Sequence, residues 1–231
     1  TGKVASARPF ISSFEEGVTG SGSPQDLETM FQLIYMTFTA PRADPEYFEV
    51  FNTRNRTSLQ NRDASPAVAF NDAINRIMTQ DALRSRPVTV ETLDHTDLGG
   101  SLAFYQDRFE DASDFTFIFV GNIDLDVMRP LVERYLGGLP STNRVETWRD
   151  LGERPPRGVI EEIVRKGLEP QSQTRLFFTG SIDYGDRSQR LGIAVMTSVL
   201  ETRLREVLRE ELGGTYSVSV GSSFSWRPAG Q

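Results

Sequence analysis

The stretch Leu204-Arg205-Glu206-Val207-Leu208-Arg209-Glu210-Glu211-Leu212-Gly213-Gly214-Thr215-Tyr216-Ser217-Val218 forces a helix to reverse into a strand. Leu200, Leu204, Leu208 and Leu212 recur at fourfold spacing and predict a long helix over about 188–212. Gly213-Gly214 breaks it. Beyond the break, Tyr216, Val218, Val220, Phe224 and Trp226 fall on one face, and Ser217, Ser219, Gly221 and Ser223 on the other. That period of two predicts a half-buried strand. A helix followed directly by such a strand is expected to pack on a sheet, and with the elements along the rest of the chain it reads as a layered α+β architecture. The reversal also sets a guanidinium, Arg209, and a phenol, Tyr216, on either side of one tight turn. Such a pair can grip a carbonyl or carboxylate but cleaves nothing by itself.

The rest of the chain repeats the layered pattern. Residues 10–18 alternate weakly and are bounded by the Gly-rich Gly17-Val18-Thr19-Gly20-Ser21-Gly22, which predicts a short strand and then a turn. Ser23-Pro24, Asp44-Pro45 and Ser65-Pro66 are three cap-then-proline helix starts, with Asp26 in capping-box position to Ser23. The first helix carries Leu27, Met30, Phe31, Leu33, Ile34 and Phe38, a broad apolar stripe that ends before Pro41. The second, about 45–61, is more polar, with Tyr47, Phe48 and Phe51 expected to face inward; the third holds Val68, Ala69, Phe70, Ala73, Ile74 and Ile77. A further helix is predicted over 98–109, with Leu102, Tyr105 and Phe109 on its apolar face, and another over 125–136. Residues 115–121 read as the strongest strand, 175–179 as another, and 159–164 as an extended segment. The expected fold is α+β, a mainly antiparallel sheet covered on one face by helices.

Composition removes several function classes. Of 231 residues, 38% are hydrophobic and 25% charged, a balance that suits a globular chain. A net charge of −7 argues against nucleic-acid binding, and Arg54 and Arg56 read as a solvated helix face. With no cysteine there is no disulfide, thiolate metal site or cysteine nucleophile; this suits the cytoplasm and a bacterial periplasm equally. No run approaches the roughly 18 apolar residues of a membrane span. The first residues lack both an initiator methionine and a signal peptide's apolar core, and the last follow a strand with no covering helix, so a piece of a longer protein is expected.

The candidate chemistry is sparse. His95 is the only histidine, too few for a histidine-based zinc site, and its acidic neighbours Asp94 and Asp97 suggest a surface turn. Neither Gly20-Ser21-Gly22 nor Gly180-Ser181-Ile182 is a G-x-S-x-G nucleophile elbow. Gly20-Ser21-Gly22 could cradle an anion before the first helix, but no P-loop lysine accompanies it. Asp183, Asp186 and Glu201 could form a carboxylate pair, or be ordinary loop and helix-face acids. Arg209 and Tyr216 remain. In the structural reading, Arg209 pairs with Glu206 or Glu210 and Tyr216 is a core-facing aromatic. In the functional one, both point at an acceptor oxygen near Gly213-Gly214.

Five stretches in order resemble the pitrilysin/insulinase family of zinc peptidases, whose zinc motif is H-x-x-E-H. They are Gly20-Ser21-Gly22-Ser23-Pro24-Gln25-Asp26-Leu27-Glu28; Phe38-Thr39-Ala40-Pro41-Arg42; Phe104-Tyr105-Gln106-Asp107-Arg108-Phe109 before Phe117-Ile118-Phe119-Val120-Gly121-Asn122-Ile123-Asp124; Tyr135-Leu136-Gly137-Gly138-Leu139-Pro140; and the Arg209-to-Tyr216 element. The resemblance implies repeated α+β units in a clamshell of two halves. This chain lacks H-x-x-E-H and is similar to the C-terminal, metal-free half. It would comprise the later part of one unit (1–153) and the truncated opening of the next (154–231), with a boundary near Pro155-Pro156. The resemblance further implies that Arg209 and Tyr216 bind substrate, a peptide or unfolded polypeptide, with Tyr216 supporting the transition state. The zinc would lie in the absent N-terminal half, so the chain alone would be inactive. The full-length bacterial protein would be periplasmic, with the cytoplasm as the alternative. A second implied reading is a non-catalytic, chamber-forming subunit that partners a separate zinc peptidase chain.

Overall fold

A computed structural model describes residues 2–62 and 64–225. The chain divides into two compact units. The first comprises residues 1–64 and 87–149, and the second residues 65–86 and 150–231.

The first unit begins with a hairpin, β1 (Ala5–Ile11) and β2 (Glu16–Gly22), antiparallel, with Ala5 opposite Gly22 and Ile11 opposite Glu16. Ser12 closes its turn, the amide donating to Glu15 O at 2.8 Å. The Gly-rich run expected as a turn is therefore strand. Its glycines are explained by α1 (Leu27–Thr39), which lies across the hairpin. A Cβ at Gly20 would stand 3.3 Å from Ser6 O and 3.4 Å from Met30 Cγ, and one at Gly22 would stand 3.3 Å from Met30 Cβ. Side chains there would push the helix off the sheet. The start of α1 also differs from the expected box. Asp26 Oδ2 accepts from the Ser23 hydroxyl at 2.9 Å and from the Val4 amide at 2.9 Å, so it ties the helix start to β1.

The stripe on α1 becomes the core. Met30, Phe31, Ile34 and Phe38 are buried with Phe109, Met128 and Leu139. Phe109 closes α5 (Leu98–Phe109), and Met128 lies on α6 (Leu125–Leu131). Aromatic rings interlock here, Phe38 against Phe109 at 5.3 Å and Phe115 at 5.0 Å, and Phe31 against Phe119 at 5.3 Å. The predicted helix over 125–136 forms but changes character. Pro130 lacks an amide to donate, and the backbone passes into a π-helical turn, Val132–Leu136, in which Gly137 N donates to Val132 O at 2.9 Å. In α2 (Pro45–Arg62), no residue is buried. Tyr47 and Phe51, expected inward, are exposed, consistent with the helix's polar composition. Its Arg56 pairs with Asp94 of α4 (Val90–Asp94).

One buried carboxylate joins the end of α5 to the returning chain. Asp111 is fully buried and accepts from the Ser113 hydroxyl (2.6 Å) and amide (2.9 Å), the Thr142 hydroxyl (2.7 Å) and the Arg144 amide (2.5 Å). These bonds, the Ser113 hydroxyl first, outweigh burial and hold its carboxyl well below the usual range.

The second unit contains α3 (Pro66–Met78) and α7 (Arg187–Leu204). The Ser65 hydroxyl caps α3 by accepting from Val68 N at 3.4 Å. The apolar face of α3 borders a groove of about 910 Å³, lined by Phe70, Ala73, Ile74 and Ile77 and by Ile160 and Phe177 of two extended runs.

The expected mainly antiparallel sheet is overstated. Among the described residues the one sheet is the β1–β2 hairpin, and the fold is helix-dominated. The period-two pattern itself is present. Phe115, Phe117 and Phe119 pack on the core while Ile118 and Val120 are 80% and 94% exposed. Residues 115–120, 159–164, 175–179 and 216–225 nonetheless have no ladder partner among the described residues. Alternation sets the direction of side chains, whereas a sheet also needs a neighbouring backbone to pair with. Trp226, placed on the last strand by its pattern, lies outside the described residues.

Candidate functional site

The helix–Gly-Gly–Tyr stretch is built on α7. Asp186 caps that helix, its Oδ1 accepting from Ser188 N at 2.8 Å and Gln189 N at 3.1 Å. The helix does not run on to 212 in α form. From Arg205 to Glu211 it widens into a π-helical segment, with Leu212 N donating to Val207 O at 3.0 Å. π-helical turns are rare and concentrate at functional sites. This one carries Arg209. Gly213 then reverses the chain with φ of +60°, a conformation in which a Cβ is strained, and Gly214 N donates to Leu208 O at 2.9 Å.

Arg209 is exposed and takes part in no ion pair among the described residues; of its two expected partners, Glu206 is paired with Arg203 at 3.2 Å and Glu210 does not pair with it. Tyr216 is 99% exposed, while Val218, Val220 and Phe224 of the same alternating set are half-buried. Guanidinium and phenol thus stand in solvent on the two arms of one turn. Both retain full capacity to donate to an acceptor.

The other candidates have structural tasks. His95 ends α4, its Nδ1 2.7 Å from Glu91 O. Asp183 Oδ1 accepts from Gly185 N at 2.8 Å, Asp186 caps α7, and Glu201 pairs with Arg205 at 2.6 Å. Ser21 Oγ lies 3.1 Å from Ser6 Oγ across the hairpin, so the glycine run is packing surface rather than an anion cradle. No group of three or more His, Cys, Asp or Glu among the described residues could hold a metal ion. With no cysteine and a single histidine, this donor set does not fit zinc. Two features escaped the sequence, the π-helical segment and a bond from Val220 N to Glu201 Oε2 at 3.1 Å. Residue 201 is 19 positions from residue 220, beyond any local pattern.

The model of the Peptidase M16 inactive domain matches residues 101–227, more than half of the chain and all of the site. The chain belongs to the M16 peptidase family. Within this family it is similar to a zinc protease PQQL-like protein of Arabidopsis thaliana, 28% identical over 205 residues, covering 84% of this chain and 21% of that protein. It is also 23% identical over 218 residues to a probable zinc protease PqqL of Haemophilus influenzae, covering 90% and 22%. The crystal structure of the periplasmic protease PqqL from Escherichia coli shares the fold, with a TM-score of 0.77 at 20% identity over 97% of this chain and 25% of that one. The chain spans about a fifth of the length of the curated relatives it matches.

Proposed function

We propose that this M16 chain is part of the substrate-binding half of a zinc-dependent endopeptidase, joining two successive repeat units near Pro155-Pro156. Arg209 and Tyr216 are its contacts with the peptide. The observation that carries this reading is their shared exposure on either side of the Gly213 turn, inside the inactive-domain match. Arg209 offers a planar fork that orients a peptide carbonyl, and the Tyr216 hydroxyl donates to the oxygen as negative charge builds on it. The zinc belongs to a part of the protein outside this chain. A periplasmic setting follows the E. coli relative.

In the full-length protein, Tyr216→Phe and Arg209→Ala should each lower turnover of a peptide substrate by about 100-fold, with unchanged circular dichroism. Wild-type turnover in both variants overturns their role. The isolated chain should cleave nothing with added zinc. Chelator-sensitive cleavage by pure chain would refute the division of labour.

A further inference from the structure

The run that carries Tyr216 is packed through its half-buried Val218, Val220 and Phe224 but has few hydrogen bonds among the described residues. Among the described residues no backbone–backbone hydrogen bond ties residues 215–224 to the rest of the second unit, and the run hangs from two glycines. The Tyr216 ring, 99% exposed, adds no packing of its own. A donor that must meet a developing charge needs a fixed position, since the gain from a preorganised donor is lost when it wanders.

Glu201 supplies the fixation. Its Oε1 accepts from Arg205 at 2.6 Å, one helical turn along, and its Oε2 accepts from the Val220 amide at 3.1 Å. One carboxylate therefore holds both arms of the reversal. Arg205 opens the π-helical segment, with Arg209 four residues further on; Val220 closes the opposite arm, with Tyr216 four residues before it. The Glu201 side chain is 31% exposed, and both of its oxygens are engaged. A charged acceptor makes the bond to Val220 stronger than a neutral one would.

We propose that Glu201 is a positioning residue for Tyr216, acting through the Val220 amide, with Arg205 holding the carboxylate in place. The proposal rests on the reading that Tyr216 donates to the substrate, and its test separates the two. Glu201→Ala removes both bonds, whereas Glu201→Gln keeps an acceptor for Val220 and loses the charge.

In this chain, Val220 amide exchange followed by NMR should speed up about tenfold in Glu201→Ala and stay near wild type in Glu201→Gln. Equal exchange in all three proteins overturns the proposal. In the full-length protein, Glu201→Ala should lower kcat about tenfold with KM little changed, and Glu201→Gln should recover most of it. The double variant Glu201→Ala/Tyr216→Phe should be no slower than Tyr216→Phe alone. Losses that multiply overturn the proposal, because they give Glu201 a role independent of Tyr216. If Tyr216→Phe is fully active while Val220 exchange still responds to Glu201→Ala, the reading of Tyr216 fails and the clamp on its run stands.

Discussion

The two units of this chain use similar apolar residues to opposite effect. In the first, α1 buries four side chains among interlocked rings, and Phe31 and Phe109 are 0% and 1% exposed. In the second, α7 is five residues longer than α1 and buries none. Leu191, Val195, Met196, Val199 and Leu200 all remain exposed, and Ile182 is the one buried apolar residue of that unit among those described. An apolar stripe is thus a capacity for burial. It contributes stability only where a second layer removes it from water.

The strongest way to break this contrast is truncation at matched positions. Phe31→Ala should cost about 3–5 kcal/mol, and Leu200→Ala less than about 1 kcal/mol, in urea denaturation. Equal losses would show that the second unit has a core of its own.

Next comes Asp111, where a polar group organises the first unit. Its folded carboxyl titrates below the ordinary value, so its contribution is complete above about pH 4 and fades as the pH falls toward the folded value. Asp111→Asn should lower the first unit's melting temperature by roughly 5 °C or more at pH 7 and flatten its decline in acid. A wild-type acid profile in the variant would remove Asp111 from that role.

Helix caps sharpen the comparison from the other side, because they are local and independent of a core. Asp97 caps α5 by accepting from Gly100 N at 2.5 Å, and Asp186 caps α7 at 2.8 Å. Asp97→Ala and Asp186→Ala should each cost about 1 kcal/mol, measured by calorimetry. A much larger loss in one would mean that its helix end carries tertiary structure as well. The smallest effect belongs to the exposed Arg203–Glu206 pair. Arg203→Ala should change stability by less than about 0.5 kcal/mol, and added salt should erase the difference.

Much of the helical framework was legible because its signals are local. The α5 helix occupies 98–109 as its pattern predicts, and Ser65 caps α3 where its cap-then-proline start predicts; the caps at Asp97 and Asp186 were not read from the sequence. The site was legible only as residue types. Arg209 and Tyr216 stand out by their spacing around Gly213-Gly214, but spacing does not distinguish a core tyrosine from an exposed one. Tyr216 shares its alternation with Val218 and Val220, and it alone of the three is fully exposed. The π-helical segment under Arg209 was invisible, because its leucines keep the fourfold spacing of an ordinary α-helix.

By itself, then, the sequence determined where helices begin, which faces are apolar, and that no cysteine or histidine cluster supplies a metal site in this stretch. Those properties depend on neighbours within a few positions and on composition. Only the tertiary structure decided which apolar faces are sealed, that residues 16–22 form a strand under α1, and that Glu201 reaches Val220. Each of those outcomes needs partners distant in the chain, and side-chain periodicity carries no information about which partners arrive.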